Sequence, residues 1–109
     1  MTETEFLERA ERTLAAIEAA VEAVSGDVDI ETSRSGSVLT LELADRSKVI
    51  VNSQAPMQQL WVAARSGGFH YALAADGSWR DTRDGSELFA VLSKVVSAQG
   101  GTPVLLREP

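Results

Sequence analysis

The sequence contains no cysteine, one histidine and three prolines among its 109 residues. Without thiols there is no disulfide, no thiolate-held metal and no cysteine nucleophile, so any metal must use oxygen ligands or His70. No apolar run exceeds five residues, Leu60–Ala64 being as long as any, far short of the roughly 20 that cross a bilayer. Met1 is followed by Glu3, Glu5 and Glu8 rather than by a basic and then an apolar segment, so no leader is read here and a cytoplasmic location is expected. The G-x-S-x-G elbow, the Gly-rich phosphate loop and H-E-x-x-H are also missing. Serines, His70 and the carboxylates of Asp76, Asp81 and Asp84 are available for acid–base work, but no motif gathers them, and the chain is not read as an enzyme.

The most informative absence is of positive charge. From Thr13 to Ser33 there is no lysine or arginine, while Glu18, Glu22, Asp27, Asp29 and Glu31 fall inside that span. Residues 1–33 carry nine acids against two bases, so the N-terminal third holds the whole acidic excess of a chain with net charge −6. Such a field repels nucleic acid and anionic lipid, and it attracts cations or a basic protein surface.

What is present reads as one domain over 1–109. Thr2 and Glu5 have the spacing of a capping box, and Phe6, Ala10, Leu14, Ile17, Val21 and Val24 recur as the apolar stripe of a helix ending near Ser25-Gly26. Glu11, Glu18 and Glu22 lie within roughly 40° of one another on its wet side. The alternation in Asp27–Thr32 predicts a first strand that turns Asp27, Asp29 and Glu31 outward and so prolongs the acidic ridge. Five further strands follow, at 37–43, 48–52, 59–64, 69–73 and 78–81, joined by short turns, which predicts an antiparallel sheet. Asp84 and Glu87 are spaced as a second capping box before a helix whose apolar face is Leu88, Leu92, Val95 and Val96. The expected fold class is α+β: an α/β sandwich in the order α-β-β-β-β-β-β-α, with both helices on one sheet face and the apolar tail Val104–Leu106 packed back.

Within this frame Trp61 is conspicuous. It shares the phase of Gln59, opposite Leu60 and Val62, so its indole is expected on the uncovered face, where a partner rather than the core would bury it. Trp79 is expected in the core, and His70, out of phase with Phe69 and Tyr71, in solvent.

Asn52, Gln54, Pro56, Gln59 and Trp61 form an N-x-Q-x-P-x-x-Q-x-W pattern, followed by Gly67-Gly68-Phe69-His70-Tyr71, Trp79, and Asp84-Gly85 ahead of Leu88 and Leu92. Together with the element order and the acidic first helix, these residues resemble the frataxin family along essentially the whole chain. The resemblance implies weak binding of ferrous and ferric iron by exposed carboxylates. It also implies docking on the cysteine desulfurase of iron–sulfur cluster assembly, and on its scaffold as a further candidate partner. The family's ridge falls on Glu18, Glu22, Asp27, Asp29 and Glu31, with Glu11 as an extension, and its sheet contact on Asn52, Gln54, Gln59 and Trp61. Where bacterial relatives often double the acids, this chain has Ala19, Ala20, Ala23 and Ser25, which implies weak iron affinity. The chain is taken as a monomer, with iron-driven oligomerisation left open, and slow iron oxidation is the only catalysis allowed for. The alternative reading is a metal-independent adaptor that uses the sheet around Trp61.

Overall fold

A computed structural model describes residues 1–109. Helix α1 spans Glu3–Ala23 and opens with the expected capping box: the Thr2 hydroxyl accepts the Glu5 N–H at 3.1 Å, and the Glu5 carboxylate accepts the Thr2 N–H at 2.9 Å. Two of the four amide groups left without intrahelical partners at a helix start are thereby satisfied. Six strands follow: β1 (Ile30–Ser35), β2 (Val38–Leu43), β3 (Lys48–Gln54), β4 (Gln59–Ala64), β5 (Gly67–Leu73) and β6 (Trp79–Asp81), with a 3₁₀ turn at Ala55–Met57 and helix α2 at Leu88–Gly100. They form one sheet in sequence order with every neighbouring pair antiparallel, as short connections require.

The period-two pattern decides which face is covered. Leu39, Leu41, Val49, Val51, Leu60, Val62, Tyr71 and Trp79 are buried, while the alternate residues stay partly or fully exposed. Both helices lie on the buried face and join it in one core cluster that includes Phe6, Leu14, Ile17, Leu88, Leu92 and Val96. Trp79 is a core residue: its indole N–H donates to the Thr13 hydroxyl of α1 at 2.8 Å, and its ring meets Phe6 edge to face at 6.1 Å. At the opposite end Gln99 of α2 accepts the Arg65 N–H at 2.8 Å and donates to Ser47 at 3.1 Å, fastening the helix to two turns of the sheet. The tail packs back, with Leu106 buried and its N–H donated to Ser93 at 2.8 Å, although Leu105 points out.

Of the boundaries that differ from those read in the sequence, three change the placement of residues singled out there. After α1 the chain continues in turns, with Asp27 N–H on the Val24 carbonyl, so β1 starts at Ile30, where Leu43 offers the last ladder partner. Asp27 and Asp29 therefore sit in the connection, not in the strand. Helix α2 starts at Leu88 because residues 82–87 fold back along β6, with Asp81 N–H on the Ser86 carbonyl. The cap is Glu87, whose carboxylate accepts from Phe89 and Ala90, while Asp84 closes a turn by accepting the Ser86 N–H. The hairpin β4–β5 turns on Arg65-Ser66 alone, which brings Gly67 and Gly68 into β5.

Candidate functional site

The acidic residues run along α1 and over the β1 edge of the sheet. Glu11 and Glu18 are paired: Arg34 of β1, whose side chain lies on the helix side of the strand, places Nη2 on Glu11 and Nη1 3.4 Å from Glu18. Glu22, Asp27, Asp29 and Glu31 are exposed and make no ion pair. Glu22 lies in the last turn of α1, which contains no base, so the negative end of the helix dipole adds to the carboxylates instead of being offset. Glu31 stands directly opposite Glu42, a like-charge pair that costs stability. This acidic corner is a field that attracts cations. It is not a coordination cage, since no three acidic or histidine side chains are grouped to hold an ion. Arg34, the first base after the base-free span Thr13–Ser33, and Glu42, which stands between Glu31 and Lys48 across the strands, belong to the site without any signal in the acidic pattern.

The uncovered sheet face presents the second feature. Asn52, Trp61 and His70 are in register across β3, β4 and β5, and Gln54 is opposite Gln59. All four residues singled out in the sequence, Asn52, Gln54, Gln59 and Trp61, thus fall on one patch. Trp61 is half-buried. Its indole N–H donates to Gln59 at 2.9 Å, and its ring stacks on His70 with centroids 4.3 Å apart and planes 11° apart. His70 was expected in solvent and is exposed, but its stacking partner went unseen because the Arg65-Ser66 turn length sets that register.

No hydrolytic constellation forms around His70. Asp76 is held by Ser78, Asp81 by the Arg83 N–H and Asp84 by Ser86, and the hydrogen bonds from Ser78 and Ser86 keep the carboxyls of Asp76 and Asp84 below the usual range. A groove on the helix side between α2 and β5 has Phe69, Val91, Val95 and Ala98 in its walls, but the Gln99 and Asp84 side chains at its rim are committed to the fold. No helix is long and apolar enough to cross a membrane.

Residues 1–102 match the model of the frataxin-like domain. The chain belongs to the frataxin family. It is 60% identical, over 99% of its length and 98% of the relative's, to the iron-sulfur cluster assembly protein CyaY of Janthinobacterium sp. (strain Marseille). It is 57% identical, with the same coverage, to the CyaY of Herminiimonas arsenicoxydans. Among solved structures, a frataxin from Psychromonas ingrahamii superposes with a TM-score of 0.86 at 36% identity, covering 95% of this chain and 96% of that one. The trimeric frataxin of Saccharomyces cerevisiae, complexed with ferrous iron, gives 0.75 at 26% identity, covering 86% and 87%. The frataxin fold, two helices on a six-stranded antiparallel sheet, is therefore this chain's fold.

Proposed function

We propose that this frataxin is an accessory, regulatory protein of iron–sulfur cluster assembly, which binds iron weakly on its acidic ridge and docks on the cysteine desulfurase. The observation that carries the reading is the corner where Glu22, Asp27, Asp29 and Glu31 stand exposed and without a cation of their own. Carboxylate oxygens suit iron in either oxidation state, and the lack of a converged ligand set makes the binding weak and shared. Iron is cargo here. The yeast frataxin complexed with ferrous iron supports the cargo, and the CyaY relatives support the process.

The ridge residues are Glu18, Glu22, Asp27, Asp29 and Glu31, with Glu11 peripheral, and the same charges meet a basic surface on the desulfurase. Asn52, Gln54, Gln59 and Trp61 form the contact for the protein partner on the sheet face, the cluster scaffold being the further candidate. The chain acts as a single domain over 1–109, as a cytoplasmic monomer and not as an enzyme; oxidation of ridge-bound ferrous iron by oxygen is a slow side reaction. The yeast relative is trimeric, so iron loading is the condition under which oligomers are to be sought. Titration of the labelled chain with ferrous iron under anaerobic conditions tests the reading: amide broadening falling within residues 18–31 is expected, and broadening that spares this stretch refutes it.

The half-exposed Trp61–His70 stack favours a second reading, a metal-independent adaptor working through the sheet alone. Reversing the charges of Glu22 and Asp27 separates the two, because an adaptor of that kind keeps its partner affinity.

A further inference from the structure

We propose that Arg34 is an internal counter-cation that holds Glu11 and Glu18 out of the cation-binding ridge and confines bound metal to the corner of Glu22, Asp27, Asp29 and Glu31. The inference rests on the ridge being the iron surface and adds how that surface is gated.

Glu11 and Glu18 are seven residues apart on α1, two turns along one face, and a single guanidinium bridges both. Its planar fork suits two carboxylates at once, as a lysine ammonium would not. The Arg34 side chain is only 21% exposed, packed between β1 and α1, so the cation is already positioned and competes as an intramolecular ligand at high effective concentration. A solution cation reaching Glu11 or Glu18 must displace it, whereas the four corner carboxylates have no competitor.

The two halves of the bridge are unequal. Nη2 is hydrogen-bonded to Glu11, whereas Nη1, 3.4 Å from Glu18, is buried and makes no hydrogen bond. Glu18 is thus the less firmly held of the two, and it is the nearer in sequence to Glu22. Recruitment follows in order: the corner first, Glu18 next and Glu11 last.

Anaerobic ferrous iron titrations of the labelled wild-type chain and of Arg34→Gln, Arg34→Lys and Lys94→Gln variants test this. Removing the bridging charge should tighten apparent affinity roughly two- to fivefold, the scale of one unit charge acting on a divalent ion across several ångströms of wet, screened surface. Broadening should then spread from residues 22–31 onto Glu18 and Glu11. Arg34→Lys keeps the charge without the fork and should fall between wild type and Arg34→Gln in affinity, and Lys94→Gln, which makes the same change of net charge on exposed α2, should move affinity less than Arg34→Gln does. If Arg34→Gln does not fold, Arg34→Met keeps the packed stem without the charge and carries the same comparison. An Arg34→Gln variant with wild-type affinity and broadening, or one matched by Lys94→Gln, overturns the proposal. Broadening that spares the corner in the wild type overturns the ridge reading itself and this inference with it.

Discussion

The indole of Trp61 and the imidazole of His70 lie face to face across the β4–β5 pair, 4.3 Å between centroids, on the sheet face that no helix covers. The stack fixes a flat aromatic surface before any partner arrives, and the Trp61–Gln59 hydrogen bond satisfies the indole N–H while it waits. A ring held in one rotamer has little conformational freedom left to lose on binding, which favours affinity. Trp61→Ala should therefore weaken the complex with the protein partner by about 2 kcal/mol or more. The free chain should lose only the stacking energy, about 0.5–1.5 kcal/mol. Thermal unfolding beside a pull-down titration checks both numbers. A stability loss of several kcal/mol would place Trp61 in the core instead.

Tyr71 offers a prediction of opposite sign. Its ring is fully buried in the core and its hydroxyl has no hydrogen-bond partner. Burial, with Asp81, Asp84 and Glu87 nearby, pushes the phenol above its ordinary value of 10.0. The folded chain thus keeps this proton at pH values where the unfolded chain has lost it. Stability is unaffected below 10 and falls as pH rises beyond it. Tyr71→Phe removes both the unpaired donor and the alkaline loss, so it should stabilise the chain by about 1 kcal/mol at neutral pH and by more in mild alkali. Urea unfolding at the two pH values decides, and a destabilised Phe variant would mean that the hydroxyl has a partner, such as buried water.

How much of this was legible in the sequence depends on the range of the interaction. The α1 stripe, the inward Leu39 and Leu41 and the outward Trp61 follow from periods of 3.6 and 2, which are local. The N-terminus of α1 followed as well, because Thr2 and Glu5 close their box within one turn. The start of α2 did not, because Asp84 and Glu87 have the right spacing but the chain at 82–87 is held back along β6 by a contact no periodicity encodes. Arg34 escaped for a related reason. The alternation read as the first strand ends at Thr32, two residues short of it, and only the strand's continuation to Ser35 with α1 packed over it brings Arg34 between Glu11 and Glu18. The acidic ridge was visible in the sequence, and the pairing of Glu11 and Glu18 with Arg34 was not.

The displaced helix start gives its own test. Since Glu87 accepts the N–H groups of Phe89 and Ala90 at 2.8 and 3.1 Å, Glu87→Ala should cost about 1 kcal/mol, the usual loss for a cap. Asp84→Ala leaves those two donors satisfied and should cost less. Chemical denaturation of the pair ranks them, and the reverse order would return the cap to Asp84.

The ridge prediction concerns docking. Complementary charge acts mainly on the association rate, and at physiological ionic strength it is screened over about 8 Å, so binding to a cysteine desulfurase should weaken steadily with added salt. The carboxylates should not count equally. Glu22→Lys with Asp27→Lys reverses two unpaired charges and should slow association at least tenfold at low salt, a scale within the range of steered encounters. Glu11→Gln removes a charge that Arg34 already offsets, but it also frees that guanidinium, so its effect should be a modest slowing of under about threefold, carried by the loss of one net charge. Stopped-flow association at several salt concentrations measures all three chains. Salt-independent binding of the wild type, or Glu11→Gln as damaging as the double reversal, would show that the partner does not meet the acidic corner.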